Sequence, residues 1–258
     1  MPNSSLYLLN LFLIFVRVLS VLMTAPIFSH RGTPSLAKIG LAGLLSLLLL
    51  PAEANTKIPV SATLPRDLPP FLLVIAQEIL IGVLIGFASN LVFIAIDVAT
   101  KIMGLQIGFQ AATLFDPMSN APTSAFEQFY TLLALTLFLT IDGHHWLIAA
   151  LARTFEIAPL GTFVLTQLTI ERLMLLTNEA FVAAIRIALP IIGTLMLMDL
   201  GLGLVARAVP QVQVFFLGIP LKMALGFLVL ALTLSITLPL VKELLADMVT
   251  NILVITGG

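Results

Sequence analysis

The chain has 258 residues, of which 60% are hydrophobic and only 10% charged, and its formal net charge is −1. Soluble domains carry about 25% charged residues, and a water-soluble fold of this length has no means of hiding so much apolar surface. The composition therefore predicts an all-α membrane-associated protein, and the balanced charge gives no indication of nucleic-acid binding. Because cysteine is absent, disulfides and thiolate metal sites are excluded.

A membrane-spanning helix needs about 17–25 apolar residues. Several apolar segments of about this length, some shorter, follow one another along the chain. They cover residues 5–28, 36–50, 71–96, 126–141 with a short helix to 155, 170–209 and 220–238. The first segment lacks a basic start and carries Arg17 in its middle, so we expect a retained span and not a signal peptide. Pro190 predicts a kink or break. About six hydrophobic units result, two of them irregular.

One single helical domain is expected to contain all these segments. Its parts are N-terminal helices (1–50), an exposed linker (51–70), a third helix (71–107), an irregular loop (108–125), central helices (126–209) and a C-terminal hairpin and tail (210–258). The four prolines and mixed charges within residues 52–70 indicate a linker exposed to water.

The loop after the third helix is apolar but cannot be a helix throughout. Gly108 frees the backbone, and Pro117 and Pro122 stop helices. Non-helical backbone at membrane depth is tolerated only where it is buried in protein or lines a water-filled cavity. Two interpretations stay open: a loop packed over helix ends, or a pore lining in which Phe109, Phe115 and Met118 form an apolar constriction.

Charged residues in or beside apolar helices face protein or water, because each costs roughly 2.5–3.5 kcal/mol at the helix centre. This group comprises Arg17, Asp97, Lys101, Arg186, Asp199, Arg207 and Lys222. Asp97 and Lys101 are four apart with the acid first, which predicts an ion pair along one helix face. Asp199 and Arg207 lie two turns apart and are expected to pair with groups on another helix or subunit. A proton-relay role for Asp199 is the alternative.

Glycine spacing indicates close helix packing. Both GVLIG (82–86) and GLQIG (104–108) have GxxxG spacing, which lets two helices approach closely in a nonpolar medium. The chain has 17 Phe but one Trp and two Tyr, so the usual interfacial belt is nearly missing. This scarcity is either compositional drift or a sign that other subunits surround the helices.

Catalytic and metal motifs are not found. There is no phosphate-binding glycine loop, nucleophile elbow or HExxH sequence. His144 and His145 are adjacent, so on a helix their side chains diverge by about 100° and are not expected to bind one metal ion together. We therefore expect neither an enzyme nor a cofactor.

Several longer stretches resemble the FliR family of type III export-gate proteins. They are RVLSVLMTAPIF (17–28), QEILIGVLIGF (77–87), GLQIGFQAATLFDP (104–117), LALTLFLTIDGHHWLI (133–148), PLG (159–161) and residues 189–230. The last block is the most specific, because it carries the family's Asp199, Arg207, Pro210, Gly218, Pro220 and Lys222. The resemblance covers essentially the whole chain, except the linker and the tail.

The resemblance implies a fold of FliP-like and FliQ-like helical hairpins joined in one chain. It also implies assembly with FliP and FliQ into a helical hetero-oligomeric channel for unfolded flagellar proteins, contact with FlhB, and a place in the bacterial inner membrane at the flagellar basal body. The family's plug inside the closed channel maps to about Gly108 to Pro122 in this chain, with Gly108, Phe109, Leu114, Phe115, Pro117 and Met118 as its plug residues.

Two alternatives remain open. One is the injectisome counterpart of the same family, which exports effectors. The other is a small-solute secondary transporter, suggested by Pro190 and the charges within spans. A transporter of that kind predicts inverted repeats and a charged midplane site, and the sequence contains neither.

Overall fold

The computed structural model describes residues 3–26, 28, 34–55, 68–109, 125–211 and 213–256, and within them it contains seven α-helices and no strand. The helices are α1 Asn3–Thr24, α2 Ser35–Asn55, α3 Leu68–Ile107, α4 Ala125–Thr140, α5 Gly143–Ile157, α6 Gln167–Ala208 and α7 Val214–Thr256. In these residues, four helices are long and apolar enough to cross a membrane, and α4 with α5 would make a broken fifth. The all-α prediction is confirmed.

Two long helices are more continuous than the sequence predicted. α6 runs from Gln167 to Ala208 without a break at Pro190. The hydroxyl of Thr194 donates to the Pro190 carbonyl at 2.8 Å, within the turn that follows the proline. α7 continues through Pro239 to Thr256, so the expected C-terminal hairpin and tail are one helix. An unbroken helix pairs its own backbone groups, which an apolar environment requires.

The first connector begins later than predicted. α2 continues to Asn55, because alanine and glutamate in residues 52–54 favour helix. The remaining linker residues 56–67 lie outside the described residues. The same holds for residues 110–124, which carry the expected plug residues Leu114, Phe115, Pro117 and Met118.

The chain divides into two compact units. The first consists of Met1–Leu91, Ile141–Thr177 and Ala246–Gly258, and the second of Val92–Thr140 and Asn178–Leu245. Large buried side chains of the first unit include Leu13, Ile14, Ile81, Ile85, Leu151 and Leu160. Those of the second include Met103, Ile107, Phe138, Ile191 and Leu195.

In the first unit, the GVLIG glycines allow α3 to lie directly against α1. A Cβ added to Gly82 would stand 2.6 Å from the Ser20 Cβ, and one added to Gly86 would stand 1.7 Å from the Thr24 Oγ1. Real Cβ atoms do not come so close to other atoms, so only glycine fits here. The predicted close packing is confirmed for this motif, and its partner is α1.

The second motif, GLQIG, works differently. Gly108 has a φ of +95° and no atom within 4 Å of an added Cβ, so it does not serve close packing. Its amide donates to the Leu105 carbonyl at 3.2 Å, and the Phe109 amide donates to the Gly104 carbonyl at 3.0 Å. These two bonds form a Schellman motif, which ends α3 with a left-handed glycine.

Candidate functional site

A buried ion pair lies at the centre of the first unit. Arg17 of α1 donates from Nε to the Glu78 Oε2 at 2.6 Å and from Nη2 to Oε1 at 3.1 Å, and both side chains are fully buried. Arg17 Nη1 also donates to the Ala158 carbonyl at 3.0 Å. The guanidinium carbon lies 4.2 Å from the centre of the Phe155 ring.

The Glu78 carboxylate completes this network. Its Oε1 accepts a hydrogen bond from the Gly161 amide at 2.8 Å. The pair therefore ties α1, α3 and the turn after α5 together through two-pronged, charge-assisted bonds. Buried charges are tolerated when they are paired and hydrogen-bonded in this way. The expected burial of Arg17 is thus present, and its partner belongs to the same chain.

Glu78 is a residue that sequence reasoning missed. It stands in QEILIG, where an acidic side chain interrupts an otherwise apolar helix. Arg17 was singled out for the same reason, because it is a charged residue inside an apolar segment. The two residues are 61 positions apart, so their pairing cannot be read from local spacing.

A second charged cluster lies in the second unit. Lys222 of α7 contacts the Asp199 carboxylate of α6 at 2.7 Å, and Gln106 near the end of α3 donates to the same carboxylate at 3.3 Å. The Asp199 side chain is 41% exposed and that of Lys222 is 24% exposed. Asp199 therefore pairs with Lys222 within the chain, yet one side of the carboxylate stays open.

The other predicted charges are exposed. Asp97 and Lys101 form the expected pair along α3 at 2.6 Å, with about half of each side chain exposed. Arg186 and Arg207 are exposed on α6, and neither forms an ion pair with another described residue. Arg207 is flanked by the exposed apolar side chains Leu204 and Val205.

Phe109 follows the Gly108 cap and packs among aromatic rings of the second unit. Its ring centre lies 5.7 Å from that of Phe126 in a stacked arrangement, and 5.7 Å from that of Phe227 edge-on. Tyr130 extends the cluster from Phe126 at 5.2 Å. Phe109 is therefore held by α4 and α7, at the point where the chain leaves α3.

The turn before α5 corrects the expectation for the two histidines. The ring centres of His144 and His145 lie only 4.1 Å apart, so the side chains do not diverge. Both belong to the first turn of the helix, directly after Asp142, whose φ of 58° is left-handed. A nitrogen from each histidine and an Asp142 oxygen lie within 4.8 Å of one another.

Comparison with known proteins identifies the family of the chain. A model of the bacterial export proteins, family 1, matches residues 8–248. The chain belongs to this family. The flagellar biosynthetic protein FliR of Pectobacterium carotovorum is 35% identical over 245 residues, which are 92% of each chain. FliR of Escherichia coli K12 is 34% identical over 232 residues, which are 90% of this chain and 87% of the relative.

FliR of Bacillus subtilis is 28% identical over 252 residues, which are 95% of each chain. The expected resemblance to FliR proteins is confirmed. The interhelical ion pairs Arg17–Glu78 and Asp199–Lys222 lie within the matched residues.

Proposed function

We propose that this chain is a core subunit of the flagellar type III export gate and that it forms, with FliP and FliQ, a gated channel for unfolded flagellar proteins. The similarity to FliR proteins over about nine-tenths of the chain carries the proposal. In this role the chain is non-catalytic, contacts FlhB, and lies in the bacterial inner membrane at the flagellar basal body.

Exposed apolar surface on α6 and α7 supports assembly with other helices. Large side chains there are about two-thirds exposed: Leu197, Leu200, Leu204, Leu232 and Ile236. Surfaces of this kind are covered by lipid or by protein. The single Trp and two Tyr of the chain favour protein, because a lipid-facing bundle usually carries aromatic belts at both interfaces.

The exposed charges support the same conclusion. Arg207 lies beside exposed leucine and valine side chains and has no acidic partner among the described residues. An unpaired arginine in an apolar environment is unfavourable, so a polar or acidic group of a neighbouring subunit is expected beside it. The open side of Asp199 offers a second such contact.

For the resting gate, we propose that the segment after Phe109 closes the shared passage. Phe109 is fixed between Phe126 and Phe227 and so anchors the beginning of that segment. The segment supplies Leu114, Phe115, Pro117 and Met118 to an apolar constriction, which blocks ions by excluding water.

Extraction of the intact complex in mild detergent tests the assignment. We expect this chain in a large particle together with FliP and FliQ, and a much smaller yield of that particle with Arg207→Met. Lys242→Met is the matched control, because Lys242 is also an exposed basic residue of a long helix. Recovery of the chain as a functional monomer would favour a transporter, and recovery with injectisome subunits would favour the injectisome.

The plug is tested by ion leakage through the assembled gate in vesicles. The double variant Phe109→Ala, Phe115→Ala is expected to leak. Phe115→Ala removes a ring from the proposed constriction, and Phe109→Ala removes the ring that anchors the segment. Phe181→Ala is the control, since Phe181 is half-exposed on α6. Leakage equal to that of the unaltered gate would remove the plug assignment.

A further inference from the structure

The turn that begins α5 brings together three side chains that commonly bind metal ions. Asp142, His144 and His145 each place one ligand atom within 4.8 Å of the others. We propose that this turn binds one divalent transition-metal ion of the Zn²⁺ class, with two imidazoles and one carboxylate as ligands.

Asp142 does not perform the usual task of an acidic residue at a helix start. An aspartate in that position normally accepts a hydrogen bond from the second or third amide of the helix. Here the side chain makes no capping bond, and the Asp142 carbonyl accepts the amides of His145 at 2.9 Å and Trp146 at 3.2 Å. The carboxylate is therefore free to point towards the histidines.

The distance between the two exposed ligands fits a shared ion better than a hydrogen bond. His145 Nδ1 and Asp142 Oδ1 are 3.4 Å apart, beyond the usual range for a hydrogen bond of this type. Two ligands that each stand about 2.1 Å from a tetrahedral zinc ion are about 3.4 Å apart. The pair thus has the spacing of one edge of a zinc tetrahedron.

His144 supplies a separate indication. Its Nδ1 atom is buried and has no hydrogen-bond partner among the described residues. A buried polar atom without a partner is unfavourable, and a bond to a metal ion provides one for an imidazole nitrogen.

The chemistry of the ligands selects the ion. Imidazole nitrogen suits Zn²⁺, Co²⁺ and Ni²⁺, whereas Ca²⁺ and Mg²⁺ prefer oxygen ligands only. Three protein ligands leave a fourth position for water. The positive end of the α5 dipole opposes a cation, so the Asp142 carboxylate must supply the compensating charge. We therefore expect Asp142 to contribute more than His145.

Binding of Co²⁺ to the full-length chain in detergent tests the site, with an affinity tag that contains no histidine. Equilibrium dialysis is expected to give one Co²⁺ per chain, with the visible absorption of nitrogen–oxygen coordination, and Zn²⁺ should displace it. Asp142→Asn keeps a residue that tolerates the left-handed backbone and should weaken binding at least tenfold. His145→Gln should weaken it as well, but less.

His30→Gln is the matched control, because it removes the third histidine of the chain and leaves the cluster intact. Asp142 and His145 are both about two-thirds exposed, so these variants are expected to fold. Helical circular dichroism of each variant checks this. Absence of stoichiometric Co²⁺, equal binding by all variants, or loss of binding in His30→Gln would overturn the proposal.

Discussion

Two ion pairs between helices, one in each unit, differ in what surrounds them. Arg17 and Glu78 are fully buried, and backbone groups at Ala158 and Gly161 take up further hydrogen-bonding capacity of both side chains. Asp199 and Lys222 are partly exposed, and their one additional partner among the described residues is Gln106.

The buried pair stabilises the fold of the chain, whereas the partly exposed pair is accessible to a partner subunit. A buried pair strongly destabilises the fold when one member is removed, because the other is left without compensation. A half-exposed pair contributes less to the folding of the single chain, because part of each side chain is left uncovered by the rest of that chain. We therefore expect the first pair to govern folding of the chain and the second to govern assembly.

The largest effect is expected for Glu78→Leu. It leaves Arg17 buried without its carboxylate, which costs about 3–5 kcal/mol. The chain should be nearly absent from membranes, as measured by quantitative immunoblotting against the unaltered chain.

The double variant Arg17→Leu, Glu78→Leu sharpens this result. It removes both charges but leaves the Ala158 carbonyl and the Gly161 amide without these partners. We expect partial recovery of the chain. A single variant as abundant as the unaltered chain would contradict a structural role for the pair.

The next effect is expected for Gly86→Ala, about two helical turns along α3 from Glu78. The added methyl group collides with Thr24, and overpacking of this kind costs about 1–3 kcal/mol. Thermal unfolding in detergent should occur at a lower temperature. Gly193→Ala is the control, because nothing lies within 4 Å of its added Cβ and alanine favours helix. Equal melting of both variants would exclude close α1–α3 contact.

Asp199→Asn should have a smaller effect on folding than Glu78→Leu, because the Asp199–Lys222 pair is only partly buried within the chain. The chain should accumulate normally, while the large complex and protein export both decline. A normal complex with lost export would instead favour the proton-relay interpretation of Asp199. Lys222→Met removes the partner of Asp199 but keeps its carboxylate. Complex yield and protein export measured in this variant show whether each depends on the carboxylate or on the ion pair.

The smallest effect is expected for Asp97→Asn. This pair along one helix is about half exposed and contributes about 0.2–0.5 kcal/mol. Chain abundance, complex yield and export should all remain close to those of the unaltered protein. A strong loss of the complex would show that Asp97, like Asp199, contacts a partner subunit.

The sequence by itself determined the features that depend on composition and on near neighbours. The excess of apolar residues requires a membrane-associated helical protein, because no soluble fold of this length hides so much apolar surface. The spacing of Asp97 and Lys101 favours their pair, since residues four apart are neighbours on one face of a helix. Gly108 ends α3 because it accepts the left-handed conformation that other residues avoid.

Only the tertiary structure decided which distant residues meet. Glu78 becomes the partner of Arg17, and Lys222 that of Asp199, through helices brought together from separate parts of the sequence. Of two glycine patterns with the same spacing, GVLIG packs against α1, whereas the last glycine of GLQIG has open space around it and caps α3. The rings of His144 and His145 lie 4.1 Å apart although the two residues are adjacent in the first turn of α5. These contacts depend on how the helices pack, and the spacing of neighbouring residues in the sequence does not determine that packing.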